Sequence, residues 1–439
     1  MLRYAAQPDH PRLVLAAGVR TPFAKAGGRF AREDVAHLGS VVVRELLART
    51  EVDPGSFDEV VAGCVGQPFD QANPGRVLAL RAGIPEEVPA RTVARNCASG
   101  FEAVTSAAAN VLMGLGDRYL CVGVEVMSSY PLVFGRRATD WFARLNRAKT
   151  PLAKLAALAG FRPSMLAPRV ALMEGLTDPV SGLIMGRTAE LIAREWGVTR
   201  EESDRFSLES HRRAQAARDG GRFDLETMPV LPLGARKQDH SLRHDDGIRD
   251  GQTLEALAKL PPYFEKPDGI VTVGSSSQIT DGAVALILTT DRGAAEMGLE
   301  PLAAIRGWAW AGLDPARMGL GPVHATAEVL RATGLAMSDF DLIEINEAFA
   351  AQVLACQRAY ASERYAREKL GLDHAVGELD LERTNVNGGA VALGHPVGAT
   401  GARLLLTLAH ELRLRDRELG LATLCIGGGQ GGAVVLERL

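Results

Sequence analysis

The sequence predicts an α/β protein of layered sheets, and three observations carry that reading. Short apolar runs alternate with Ala-rich stretches of helical spacing at both ends of the chain. The two ends repeat one pattern: a short strand, a reactive side chain opening a helix, then a second apolar strand carrying a cysteine, Cys121 in one and Cys425 in the other. At 439 residues the chain is long for one core and short for three, which fits an intimate two-domain body with an insertion.

In chain order, the apolar runs 13–18, 60–63 and 119–126 read as strands of the first half. Phe101, Val104, Ala108, Val111, Leu112 and Leu115 recur at helical spacing straight after Cys97, which sets that cysteine at a helix N-terminus. The composition then changes. Between Gly135 and Met173 there are eight basic residues (Arg136, Arg137, Arg144, Arg147, Lys149, Lys154, Arg162, Arg169) against the single acid Asp140, interleaved with Trp141, Phe142, Leu152, Leu155 and Leu158. Two readings of this excursion stand: a solvated basic face packed on the main body, or a surface that docks on a membrane, a partner subunit or an anionic ligand. The stretch 238–252 is polar enough to predict a surface loop. Further strands are predicted at 270–273, 283–289, 303–307, 342–345, 421–426 and 433–437. His395 precedes Pro396, a natural first helical residue, and an Ala/Leu helix over 402–412.

Bulk properties exclude several classes. A net charge of -4 gives no case for nucleic acid, and 46 % hydrophobic with 23 % charged residues is ordinary for a soluble domain. No apolar run reaches membrane-spanning length, and the segment before Leu13 carries Asp9 and no secretory core, so a cytoplasmic location is expected. Five cysteines without a C-x-x-C pair argue against a disulfide framework or a zinc site, and His240 with His244 lacks a third ligand at suitable spacing.

Chemistry concentrates in four small-residue segments: Asn96-Cys97-Ala98-Ser99-Gly100, Asn346-Glu347-Ala348-Phe349, the run from Asn387 to Pro396, and Cys425-Ile426-Gly427-Gly428-Gly429-Gln430-Gly431. A thiol at a helix N-terminus is expected to titrate low, which suits Cys97 as a nucleophile; a small residue needed for tight packing is the alternative. His395, among glycines, can take a proton from a thiol or cap the following helix. The glycines after Cys425 fail as a dinucleotide fingerprint because only a strand follows them, and Gly389 to His395 supplies His-Pro where a P-loop needs Lys-Ser/Thr. What survives is a loop whose N–H groups can bind an oxyanion beside a thiol that can shuttle a proton. Asn346 can cap the helix after it or fix a water or carbonyl in the site.

Taken in order, these four segments resemble the thiolase family. So do Gly18-Val19-Arg20-Thr21-Pro22-Phe23, Gly123 to Ser128, and Val271 to Ala283. The resemblance implies a duplicated thiolase fold, a five-layer α-β-α-β-α body with an inserted loop domain. It divides the chain into 1–127 with 271–298 as the first half, 128–270 as the loop domain with its basic helical excursion, and 299–439 as the second half. It implies Cys97 as acyl-accepting nucleophile, His395 as its activator, and Cys425 as the acid or base at the α-carbon. Asn346 would hold a water in one oxyanion hole, the N–H groups of Cys97 and Gly427 would form another, and Ser277 would line the pantetheine tunnel. The implied activity is 3-ketoacyl-CoA thiolysis in fatty-acid β-oxidation, with coenzyme A as co-substrate and no permanent cofactor. A biosynthetic acetoacetyl-CoA thiolase and a non-catalytic acyl-CoA or sterol-carrier binder are the alternatives. The implied partners are acyl-CoA and CoA, a second copy in a homodimer or homotetramer, and, from the layout of the excursion, a hydratase/dehydrogenase subunit; a peripheral membrane contact is expected only from the excursion's own basic and apolar residues.

Overall fold

The computed structural model describes residues 2–235 and 240–439. Its strands are β1 (Arg3–Ala5), β2 (Leu13–Arg20), β3 (Ala24–Lys25), β4 (Glu59–Gly63), β5 (Ala90–Val93), β6 (Tyr119–Val126), β7 (Leu132–Phe134), β8 (Pro168–Val170), β9 (Thr280–Thr290), β10 (Ala303–Gly312), β11 (Leu342–Ile345), β12 (Leu419–Ile426) and β13 (Gln430–Glu437). The order β4-β6-β9-β2 in one half matches β11-β12-β13-β10 in the other. In both, the first pair is parallel and the next two are antiparallel. The duplication is therefore written in the pairing, although little residue identity marks it. The halves join where β2 meets β10, over the pairs Leu15↔Ala303 and Val14↔Ala304.

Strand alternation assigns the layers. On β6, Tyr119 and Cys121 enter the central core, while Leu120, Val122 and Val124 face outward onto the helices Val35–Thr50 and Pro74–Ala82. On β12, Ala422, Leu424 and Ile426 face the centre, and Leu421 and Cys425 face the outer helices Gly321–Thr333 and Ala350–Tyr360. Helices Ser99–Leu112 and Val397–Leu414 form the middle of five layers. The latter buries 15 of its 18 residues, as a helix covered on all sides must.

Small residues let these two central helices touch backbone to backbone at their N-termini. A Cβ at Gly100 would lie 2.4 Å from the Ala402 nitrogen, and one at Gly401 would lie 2.5 Å from the Phe101 nitrogen. The close crossing brings the turn that carries Cys97 beside the turn that carries His395.

Two expected features differ, and one strand was not expected. Residues 270–273 form no strand, because the Glu190 carboxylate takes the N–H groups of Ile270 (3.0 Å) and Val271 (2.9 Å) that a neighbouring strand would need. β5 arises from a half-exposed run, Ala90-Arg91-Thr92-Val93, whose alternation is too weak to read. The polar stretch 238–252 is not all surface: Asp245 is buried against Arg20 (2.7 and 2.9 Å) and takes the Phe23 N–H (2.7 Å). Gln238 and Asp239 lie outside the described residues. β6 and β9 are sheet neighbours, so the chain from Met127 to Ile279 leaves and returns to one edge of the site.

Candidate active site

Cys97, His395, Cys425 and Ser277 line one cavity of about 380 Å³. Cys97 sits on a tight turn forced by Asn96, whose φ of 44° is left-handed, two residues before the Ser99–Leu112 helix. Ser99 locks this turn: its Oγ donates to Asn96 O (2.8 Å) and accepts the Arg95 N–H (2.9 Å). Asn96 Nδ2 reaches across to Gly427 O at 2.7 Å, tying the turn that carries Cys97 to the loop after Cys425. That loop is a hairpin between β12 and β13, turned by Gly428 (φ 88°) and Gly429 (φ 78°), which explains its glycines without a nucleotide.

The N–H groups of Gly427 and of Cys97 itself lie near enough to the Cys97 sulfur to favour its thiolate. Burial nonetheless pushes the Cys97 thiol above its ordinary pKa, with the two N–H groups pulling the other way. The low-titrating thiol expected of a helix N-terminus is thus overturned: desolvation outweighs the aligned peptides. Cys425 is pushed well above the ordinary range, by burial first and then by the proximity of Cys97.

His395 is 7 % exposed, and burial, with a contribution from the Arg403 charge, lowers its pKa to about 3. Its tautomer follows from the hydrogen-bond network. Thr400 Oγ1 donates to Pro396 O (3.1 Å), so it accepts from His395 Nδ1 (2.6 Å) and the proton of the neutral ring sits on Nδ1. Nε2 is left as a lone pair. Asn346 Nδ2 lies 3.4 Å from that nitrogen, and Asn346 Oδ1 is buried with no protein partner. Asn346 does not cap the helix after it, which starts at Ala350 behind Phe349. Likewise Pro396 is the cap rather than the first residue of its helix, which begins at Val397.

Two buried glutamates that sequence reasoning left without a role clamp these loops. Glu125 accepts from Val65 N (3.0 Å), Gly66 N (2.8 Å), Tyr130 Oη (3.0 Å) and Gly398 N (3.0 Å), joining the loop after β4 to the start of the His395 helix. Glu347 accepts from Ser210 Oγ (2.7 Å), Asn385 Nδ2 (2.8 Å) and Val391 N (3.1 Å), joining the Asn346 loop to the glycine run before His395. A Cβ at Gly389 would lie 2.3 Å from the Glu347 carboxyl carbon, which accounts for that glycine. Both carboxyls lie in the quoted motifs; their partners, far apart in sequence, gave no sign.

A second cavity, of about 390 Å³, also reaches Cys97 but neither His395 nor Cys425. Met127, Leu176, Met185 and Val397 stand between the two chambers, and Leu172, Pro179 and Val180 line only the second. Its presence had no sequence signal, because its wall is folded from the inserted region. Among the described residues no cluster of His, Cys, Asp and Glu could hold a metal ion, and no helix is long and apolar enough to cross a membrane.

Comparison with known proteins agrees with the geometry. The thiolase N-terminal domain model matches residues 13–292 and the C-terminal domain model residues 299–438. The chain is 40 % identical over 426 residues to the acetyl-CoA acetyltransferase of Escherichia coli K12, covering 97 % of this chain and 99 % of that one. It is 38 % identical over 427 residues to a 3-ketoacyl-CoA thiolase of Enterobacter sp. strain 638, covering 97 % of each. The human mitochondrial 3-ketoacyl-CoA thiolase, solved in complex with CoA, superposes with a TM-score of 0.82 at 35 % identity and 98 % coverage of both chains. With both domains matched end to end, the chain belongs to the thiolase family and is an acyltransferase.

Proposed function

We propose that the enzyme is a 3-ketoacyl-CoA thiolase that cleaves chains longer than acetoacetyl, in the degradative direction. The observation that carries this is the position of Cys97 at the junction of two chambers. A 3-ketoacyl-CoA attacked at its ketone extends two ways from the reacting carbon, toward CoA and along the acyl chain. The chamber with His395, Cys425 and Ser277 suits the CoA side. The apolar second chamber has room for about a dozen groups of water size and suits the acyl chain.

Cys97, His395 and Cys425 rest uncharged, the protonated Cys97 thiol sharing the cavity with an unprotonated Nε2. His395 takes the Cys97 proton as the sulfur attacks the ketone, so charge separates only when the carbonyl is there to receive it. The N–H groups of Cys97 and Gly427 stabilise the oxyanion beside the sulfur. As it collapses, the bond between the second and third carbons breaks, and the Cys425 thiol, kept protonated by burial, gives its proton to the acetyl-CoA carbanion. The incoming CoA thiol then returns a proton to Cys425 and attacks the Cys97 thioester; Cys97 leaves as the thiolate, takes back its proton from His395, and the shortened acyl-CoA is released. Asn346, with a donor toward His395 and an unused carbonyl, is suited to hold a water that polarises the thioester oxygen.

Acetoacetyl-CoA synthesis is the second reading, favoured by the name of the Escherichia coli relative. A homodimer or homotetramer fits the family, and the half-exposed edge strand β5 offers unpaired backbone for it. Five free thiols suit a reducing, cytoplasmic setting. The test is CoA-dependent thiolysis of a 3-ketoacyl-CoA series from acetoacetyl upward by the native protein, Cys97→Ser and Cys425→Ser. The expected result is turnover that rises beyond the four-carbon substrate and falls at least about a thousandfold in both variants. A preference for acetoacetyl-CoA would favour the second reading, and full activity of Cys97→Ser would overturn both.

A further inference from the structure

We propose that Tyr130 sets the longest acyl chain that the enzyme accepts, an inference that rests on the reading of the second chamber as the acyl-chain site. Tyr130 lines that chamber, which also opens onto Cys97, and does not line the chamber of His395 and Cys425. It is the only aromatic residue on the described wall of the second chamber. The single turn Met127–Ser129 that follows β6 brings its ring back over Glu125, five residues earlier in the chain.

The ring is held on two sides. Its Oη donates to Glu125 Oε1 at 3.0 Å, and burial, then the Glu125 charge, pushes the phenol above its ordinary pKa, so it stays a donor. Glu125 is fully buried and has no freedom to swing: Oε1 also takes the Gly66 N–H (2.8 Å), and Oε2 takes those of Val65 and Gly398 (3.0 Å each). Gly66 supplies the second support. A Cβ there would lie 2.0 Å from Tyr130 Cε1 and 2.3 Å from Cζ, so the ring rests directly on the Gly66 backbone.

Other parts of the wall are more compliant. Met127 and Met185 are unbranched and fill gaps by changing rotamer. Val180 is 81 % exposed, which puts it at the solvent rim. An acyl chain that outgrows the chamber can displace these side chains. Displacing Tyr130 instead breaks its bond to Glu125 and leaves a buried carboxylate oxygen one donor short. A rigid ring among mobile neighbours discriminates between chains, because a pocket of flexible side chains alone re-packs around each of them.

The test is steady-state thiolysis of a short and a long straight-chain 3-ketoacyl-CoA, read as the ratio of kcat/KM for the long substrate to that for the short one within each protein, so that an unfolded fraction cancels. Removing the ring in Tyr130→Ala makes room for several methylenes, each worth about fourfold when newly buried, so the ratio is expected to rise about tenfold or more. Tyr130→Phe keeps the ring on Gly66 and is expected to hold the ratio within a fewfold of native. Gly66→Ala puts a methyl where the ring now lies and pushes it toward the chamber, so the ratio is expected to fall. The proposal is overturned by a native ratio in either Tyr130→Ala or Gly66→Ala, or by an equal rise in the phenylalanine and alanine variants. A native protein that cleaves acetoacetyl-CoA and no longer chain sinks the reading of the second chamber, and this inference with it. Long-chain turnover with an unchanged ratio in Tyr130→Ala sinks this inference alone.

Discussion

Replacing Thr400 by valine removes one oxygen and leaves the shape of the site, and it tests whether the tautomer of His395 is what makes it a base. Thr400 is fully buried; its Oγ1 accepts from His395 Nδ1 at 2.6 Å and donates to Pro396 O at 3.1 Å. In valine neither bond exists, so the ring keeps a buried N–H without a partner at a cost of about 1–3 kcal/mol. The ring escapes that cost by moving its proton to Nε2 or by rotating, and either removes the lone pair that takes the Cys97 proton in the proposed mechanism. If the full cost falls on the reacting state, kcat drops roughly 5- to 150-fold. KM changes little, because Thr400 lines neither chamber. Thr400→Ser restores the oxygen and is expected to stay within a fewfold of native. The assay is steady-state thiolysis of one 3-ketoacyl-CoA by the three proteins, with thermal melting alongside to remove any unfolded fraction. Equal kcat in native and valine proteins, or equal loss in serine and valine, would refute the assignment of Nε2 as the base.

Two further outcomes follow from burial. Gly401→Ala drives a Cβ against the Phe101 nitrogen (2.5 Å) between the two central helices, so it is expected to cost about 1–3 kcal/mol in a denaturant titration and to depress thiolysis beyond that loss by separating Cys97 from His395. His211 is 2 % exposed, and burial, then the Arg249 and Lys25 charges, lowers its folded pKa to about 4. Below pH 6.5 the unfolded chain takes up a proton that the folded chain refuses. Stability is therefore lost as pH falls from 6.5 toward 4, at roughly 1.4 kcal/mol per pH unit for this group. His211→Asn keeps an acceptor for the Arg249 N–H (3.2 Å) and cannot titrate, so denaturation at pH 7, 6 and 5 should show a flatter slope than native; an unchanged slope would mean His211 is not buried in its neutral form.

What the sequence disclosed and what it withheld divide by whether the determining contacts are local. Cys97, His395 and Cys425 announce themselves because each stands among glycine or small residues within a few positions, and the strands at 119–126 and 342–345 because a short apolar run is a property of neighbours. The thiol pKa could not be read in the same way. A helix N-terminus is visible in sequence, but the sign of the shift depends on how much water the rest of the fold removes, and for Cys97 that removal wins. Asn346 was open between a cap and a site residue for the same reason, since the answer lies 49 positions away at His395. Glu125 and Glu347 were visible as letters in motifs but not as clamps, because their partners come from segments up to 273 residues distant. On the proposed mechanism, the chemistry resides in the short segments, and adjustment to a particular acyl chain would reside in the region that walls the second chamber. Leu172, Pro179 and Val180 line the second chamber, which His395 and Cys425 do not, so if that chamber holds the acyl chain, a change of chain-length preference requires no change in the four segments to which the reaction is assigned.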